Sequence, residues 1–197
     1  VTARERDAGS GEAFPGNATA TSMGTALLIT GAPGAGKTTL IRAVVAESTL
    51  KAGGFVTEEI REGGERVGFR VSTLDGRVGI LAHATAVNGP RVGRYQVDVP
   101  AFEAVGVAAL EAATAEADVI VVDEIGKMEL CSPRFVPALE AALASRKPVL
   151  GTVLQAPHPW IDGLKRRPTV ELYRLTERNR QDLKDALLAR LLCEVRP

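Results

Sequence analysis

The chain alternates short apolar runs with segments of helical hydrophobic period. Thr25-Ala26-Leu27-Leu28-Ile29-Thr30 predicts a buried strand. A helix follows, with Leu40, Ile41, Val44 and Val45 on one stripe, and Lys51-Ala52-Gly53-Gly54 reads as its stop signal. Phe55-Val56-Thr57 predicts a second strand running into a charged stretch, Glu58 to Gly64. Residues 65 to 74 alternate, with Val67, Phe69 and Val71 on one side. Asp75-Gly76 is then a turn before Val78-Gly79-Ile80-Leu81. These segments predict an antiparallel ribbon inserted after the first helix.

Residues 83 to 94 read as a loop, Tyr95 to Val99 as a strand, and Pro100 opens a helix to about Ala117. Val119-Ile120-Val121-Val122 is β-branched throughout, as suits a strand covered on both faces in a parallel sheet. Ser132-Pro133 caps a helix with Val136, Leu139 and Leu143 inward, and Pro148 to Val153 is a further buried strand. Residues 157 to 168 form a loop with a short helix, holding Trp160 and the basic run Lys165-Arg166-Arg167. Thr169 to Leu175 is the last strand, and Thr176 caps a helix with Leu183, Leu187, Leu188 and Leu191 on its core face. Strands alternating with helices give an α/β fold with a mostly parallel sheet.

Between the first strand and first helix lies Gly31-Ala32-Pro33-Gly34-Ala35-Gly36-Lys37-Thr38-Thr39, the pattern G-x-x-x-x-G-K-[ST] in its required context. Glycines let backbone N–H groups wrap a phosphate closely, and Pro33 stiffens the turn. The helix N-terminus adds unsatisfied N–H groups and a positive dipole end. Lys37 supplies a point charge to the β- and γ-phosphates, and the Thr38 hydroxyl is a Mg²⁺ ligand.

The buried strand Val119 to Val122 ends in Asp123-Glu124-Ile125-Gly126-Lys127, at the edge where open α/β sheets bind ligands. Asp123 takes the place of a Walker B aspartate on Mg²⁺. Glu124, which strand alternation turns the other way, is the candidate base for an attacking water. Lys127 is a second cation for the transferring phosphate or a partner for Glu129. Arg91 and Arg94 belong to a lid or to a solvated turn, and Thr152 either senses the γ-phosphate or satisfies its own backbone. Asn179 and Arg180 lie against a nucleotide base or serve the helix start.

Among its 197 residues, Lys plus Arg and Asp plus Glu number 24 each, so no overall field favours nucleic acid or an anionic membrane. No apolar run approaches the ~20 residues needed to span a bilayer. Cys131 and Cys193 are far apart and read as free thiols of a reducing compartment, so a cytoplasmic location is expected. Residues 1 to 22 have a disordered composition with no signal-like apolar centre, and one domain is expected over 23 to 197. A monomer is expected.

Several stretches together resemble one family, the small nucleoside-triphosphatases that include the cancer-related nucleoside-triphosphatase. They are GAPGAGKTTL (31 to 40), GFVTEEIREGG (54 to 64), GFRVSTLDG (68 to 76), RVGRYQVDVPAFE (91 to 103), VIVVDEIGKMEL (119 to 130), LGT (150 to 152) and LTERNR (175 to 180). The resemblance implies a P-loop, RecA-like mixed sheet flanked by helices. It also implies Mg²⁺-dependent hydrolysis of ATP, GTP and other nucleoside triphosphates, with nucleotide-binding stretches Gly31 to Thr38 and Val119 to Gly126. The family more often reads E-N-R where this chain has Arg178-Asn179-Arg180. Slow turnover is expected because no arginine finger is marked. A nucleoside, nucleotide or polynucleotide kinase and a nucleotide-dependent switch module are the competing readings.

Overall fold

The structure is a computed structural model and describes residues 24 to 86 and 88 to 195. The expectation for residues 1 to 22 and for Met23 lies outside the described residues. In chain order the elements are β1 (Ala26–Thr30), α1 (Lys37–Ser48), β2 (Ala52–Glu62), β3 (Glu65–Thr73), β4 (Val78–His83), β5 (Arg91–Val92) and β6 (Tyr95–Val97). Then come α2 (Val99–Phe102), a π-helical turn (Glu103–Val107), α3 (Ala108–Glu116), β7 (Val119–Ile125), a 3₁₀ turn (Glu129–Cys131) and α4 (Phe135–Ala144). The chain ends with β8 (Val149–Val153), α5 (Pro159–Lys165), β9 (Val170–Arg174) and α6 (Arg180–Val195).

One sheet joins all the strands in the order β5-β6-β4-β3-β2-β7-β8-β1-β9. The half from β2 to β9 is parallel, and β3, β4, β6 and β5 add an antiparallel wing. This is the expected α/β, RecA-like mixed sheet. The expected antiparallel ribbon is present after α1 and is continuous with the sheet. Strand β2 pairs with β7 at its start and with β3 along most of its length, so the wing continues the parallel sheet outward.

Period-two alternation divides the core between the two faces of the sheet. Leu28, Phe55, Ile120 and Val122 face one side and pack with Phe102, Phe135 and Leu139. Leu27, Ile29, Val121 and Leu150 face the other and pack with Leu40, Ile41 and Val44 of α1 and Leu183, Leu187 and Leu191 of α6. Phe55, Phe102 and Phe135 are fully buried and meet edge-on or tilted at 5.6 to 6.3 Å. Burying each ring is worth roughly 2 to 3 kcal/mol.

Three local readings are corrected. Gly53 and Gly54 do not stop α1, which ends at Ser48 with Thr49 in the left-handed region at φ 57°. Both glycines are inside β2, because α3 and β7 leave no room for side chains. A Cβ on Gly53 would lie 2.9 Å from that of Ala113, and one on Gly54 only 2.0 Å from the Val121 carbonyl oxygen. Thr176 does not cap α6, which starts four residues later. Asn179 precedes the helix, accepts from the Thr176 amide and hydroxyl, and donates to the Arg174 carbonyl. In α4 the buried face is Phe135, Ala138, Leu139, Ala142 and Leu143, with Val136 half-buried at its edge.

Candidate active site

Strand β1 delivers the chain into the glycine loop at the carboxyl edge of the parallel strands. Gly34 and Gly36 sit at φ 78° and 87°, the left-handed region that side chains avoid. Gly36 is also the N-cap of α1 and offers no side-chain cap, so the first amides of the helix remain free for an anion. The Lys37 ammonium folds over the loop and donates to the carbonyls of Gly31 at 3.1 Å and Ala32 at 3.3 Å. That holds the charge where the loop would cradle phosphate.

The acidic pair lies across from this loop. From the Val122–Gly151 pair to the Ile125–Val153 pair, β7 advances three residues and β8 two, so β7 carries a bulge at Asp123-Glu124. The peptide between them is cis. Strict alternation would send the two carboxylates to opposite faces, but a bulge re-aims side chains, and both feel the Lys37 charge. They serve one site.

Asp123 is 1% exposed. Its Oδ1 accepts from the Thr152 hydroxyl, the nearby Thr38 hydroxyl favours the ionised form, and Oδ2 is buried without a partner. Burial holds the acid above the ordinary carboxylate range, against the pull of both hydroxyls and Lys37. A buried carboxylate oxygen with no partner beside a threonine hydroxyl suits a hard cation. Among the described residues no group of three or more His, Cys, Asp or Glu could hold a metal by itself. Mg²⁺ commonly relies on one or two carboxylates plus substrate phosphates, so Asp123 and Thr38 fit it.

Burial likewise raises Glu124, helped by the Asp123 charge and opposed by Lys37. Beyond it, Gly126 separates the Glu124 carboxylate from that of Glu129. A Cβ there would lie 2.9 Å from Glu129 Oε2 and 3.3 Å from Glu124 Oε1. Glu129 is 4% exposed, and burial, then the charges of Glu124 and Asp123, push it up to about 8.

Lys37, Thr38, Glu124 and Glu129 open into a cavity of about 780 Å³, which the buried Asp123 and Thr152 do not line. Gly34, Gly36, Lys37, Thr38, Glu124 and Gly126 line it at the phosphate loop, with Pro33, Thr39 and Lys127 beside them. Ala32 and Ala35 belong to the loop without lining the cavity. Val119, Ile120, Val121, Val122 and Ile125 are wholly buried and build the strand that carries the acids. Lys127 is exposed and forms no ion pair with Glu129.

Three of the expected residues lie elsewhere. Arg94 stacks on Tyr95, with its guanidinium carbon 5.2 Å from the ring centre, and donates to the Tyr95 hydroxyl and the Arg66 carbonyl. Asn179 spends its side chain on the turn before α6. Arg180 reaches the loop from outside, donating to the Ala35 carbonyl at 2.7 Å and covering Gly36.

Arg42, Glu58, Glu59, Arg66, Phe69 and Glu129 also line the cavity and were missed by the sequence reading. Arg42 follows Lys37 by about one helical turn and Glu129 stands within DEIGKMEL, so spacing carried a signal for those two. The basic run is taken up elsewhere, Arg167 by Glu140 and Lys165 by Asp162. Both cysteines are free.

A phosphate loop on β1, an acid pair on β7 and the RecA-like strand order define a P-loop protein of the nucleoside-triphosphate-binding class. A family model described as NTPase matches residues 26–188, and the chain belongs to that family. It is 45% identical over 163 residues to the nucleoside-triphosphatase THEP1 of Thermotoga maritima, covering 83% of this chain and 93% of that one. It is 49% identical over 169 residues to THEP1 of Thermofilum pendens, covering 83% and 92%.

Two solved structures are similar. The crystal structure of THEP1 from Aquifex aeolicus matches with TM-score 0.76 at 35% identity, covering 84% of this chain and 98% of that one. The solution structure of a human cancer-related nucleoside triphosphatase matches with TM-score 0.71 at 34% identity, covering 86% and 98%. Among the described residues no helix is long and apolar enough to cross a membrane.

Proposed function

We infer that the chain hydrolyses nucleoside 5'-triphosphates to the diphosphate and phosphate. The observation that carries this reading is that Lys37, Thr38 and Glu124 line one cavity, with Asp123 buried next to Glu124 and drawn on by both Lys37 and Thr38. The names of the relatives support the same activity.

In this reading the loop amides and Lys37 hold the β- and γ-phosphates. Asp123 and Thr38 hold Mg²⁺, which when bound neutralises charge on the phosphate oxygens. Glu124 accepts the proton of the attacking water as the oxygen bonds to the γ-phosphorus and the diphosphate leaves. Its raised affinity for protons brings it closer to the range in which a general base works best. Lys127, exposed at the rim, is the second cation.

Turnover is slow. Arg42 and Arg66 line the cavity but are held by Glu58 and Glu59 at 2.6 Å, and a free arginine at the γ-phosphate is worth ~10³ to 10⁵ in rate. Base specificity is broad, since Asn179 is committed to its own turn and Arg180 offers only a planar cation.

The test is phosphate release from ribo- and deoxynucleoside triphosphates with and without Mg²⁺. Glu124→Gln is expected to retain nucleotide binding and lose about 10² to 10⁴ in rate, and Lys37→Ala to lose both. Release by Glu124→Gln at the parent rate would remove Glu124 as the base.

A further inference from the structure

The cavity does not end at the phosphate loop. Beside Glu124 it is also lined by Phe69, Leu81, Val92, Met128 and Leu154, an apolar set that neither phosphate nor an attacking water uses. Those side chains come from β3, β4, β5, the turn after β7 and the end of β8. Apolar surface left open to water forgoes roughly 25 cal/mol per Å², and water as a reactant gains nothing from it. An apolar floor with a few convergent polar groups is the usual form of a small-molecule site.

The polar groups say what kind of molecule fits. The Arg66 guanidinium lies 5.1 Å from the centre of the Phe69 ring and is held by Glu59 and the Tyr95 hydroxyl. Glu58 is held by Arg42 at 2.6 Å and by Arg70 at 2.9 Å, with Ser72 also donating to it. The cations here are already balanced by carboxylates, so no net charge calls for a phosphate. A planar ring with hydrogen-bonding edges and hydroxyls would lie on the apolar floor and reach Glu58 and Glu59. Neither Asn179 nor Arg180 lines this space, so it is separate from the side on which they flank the loop.

We propose that this half of the cavity binds a nucleoside as phosphoryl acceptor, so that the site transfers the γ-phosphoryl group to a nucleoside hydroxyl as well as to water. The proposal rests on the hydrolase reading above, in which the γ-phosphate faces Glu124. In the transfer, the acceptor oxygen forms a bond to the γ-phosphorus as the bond from that phosphorus to the β–γ bridging oxygen breaks. The hydroxyl proton passes to Glu124, and the nucleoside diphosphate leaves with the bond electrons. Hydrolysis is the same step with water in place of the hydroxyl.

The test uses the full chain with Mg²⁺ and γ-labelled ATP, adding adenosine, guanosine, cytidine, uridine or thymidine in turn at millimolar concentration. Free phosphate and labelled nucleoside monophosphate are both measured. The expected result is saturable formation of a labelled monophosphate from at least one nucleoside, with phosphate release falling as it forms. Val92→Trp, which fills the acceptor half without touching the phosphate loop, is expected to cut transfer by roughly tenfold or more and to change phosphate release by less than about twofold. Phe69→Ala is expected to raise the nucleoside concentration needed for half-saturation. Phosphate release with no labelled monophosphate overturns the proposal and leaves the hydrolase reading standing, whether or not a nucleoside inhibits. Transfer unchanged in both variants also overturns it, by removing the acceptor from this half of the cavity. Absence of both products, with ATP bound, overturns the hydrolase reading itself.

Discussion

The Thr152 hydroxyl donates to Asp123 Oδ1 and leaves Oδ2, buried and unpartnered, as the free acceptor of that carboxylate. Thr152 lies on β8 opposite Ile29 of β1, in the parallel half of the sheet. This is neither of the roles open from sequence: the hydroxyl serves the acid that would meet the cation, not its own backbone, and Thr152 does not line the cavity. Thr152→Val, close in shape and without the hydroxyl, is expected to raise the Mg²⁺ concentration for half-maximal phosphate release by about 10 to 100-fold. Because Thr152→Val also leaves buried Oδ1 without its donor, unfolding without Mg²⁺ is expected to show a loss of about 1 to 3 kcal/mol, which is measured separately from the Mg²⁺ effect. A Mg²⁺ titration of both proteins decides it.

Glu129 supplies the pH prediction. Its carboxyl is pushed up to about 8 in the fold, from an ordinary value of 4.5. Below the ordinary value the acid is protonated folded and unfolded, and contributes no pH dependence. Between the two values only the folded chain keeps the proton, so stability falls as pH rises, by about 1.4 kcal/mol per unit. Above about 8 the ionised carboxylate is buried and the loss is complete. Glu129→Gln, which resembles the protonated acid, is expected to match the parent in urea at pH 5 and to exceed it at pH 9. A parallel fall in both proteins from pH 5 to pH 9 would rule Glu129 out as the source.

Gly54 lies at φ 111°, and an added Cβ would come within 2.0 Å of the Val121 carbonyl oxygen in the paired strand. The obstacle is backbone inside a sheet and cannot swing away. Gly54→Ala is therefore expected to destabilise the fold by more than about 3 kcal/mol, through overpacking and a backbone conformation alanine avoids. The fall in urea midpoint measures it, with Gly63→Ala as the comparison. Gly63 also has a positive φ, 56°, but open space around it, so its cost should stay near 1 kcal/mol.

Gly54 also shows where the sequence stops being readable. A glycine pair after a helix fits a stop signal as well as a tight strand, because the atoms that exclude its side chains belong to α3 and β7, far along the chain. The phosphate loop, the buried run Val119 to Val122 and the acids after it were legible because their roles are local, set by spacing and strand context. Arg94 was legible only as a cation. Tyr95 and the Arg66 carbonyl decide where it points, and strand pairing brings them there. The acceptor half of the cavity was invisible for the same reason. Phe69 and Leu81 read as ordinary strand positions, and Val92 as part of a loop, until the antiparallel wing brings them into one cavity with Glu124. The bulge at Asp123-Glu124 also leaves no trace in local periodicity.

Gly126 distinguishes a functional glycine from a structural one. A methyl there would meet carboxylate ends, Glu129 Oε2 at 2.9 Å and Glu124 Oε1 at 3.3 Å. Side-chain ends can rotate aside where a strand carbonyl cannot, so Gly126→Ala is expected to cost less than about 1 kcal/mol in urea. The displaced group is the proposed base. A shift of about 1 Å in a reacting group costs on the order of 10² in rate, so phosphate release should fall by roughly 10 to 100-fold with nucleotide binding unchanged. Gly126→Ala combined with Glu124→Gln should then be no slower than Glu124→Gln alone, because the base it displaces is already gone. A further fall in the double variant would place the effect of Gly126 on the phosphate loop or the cation instead of on Glu124.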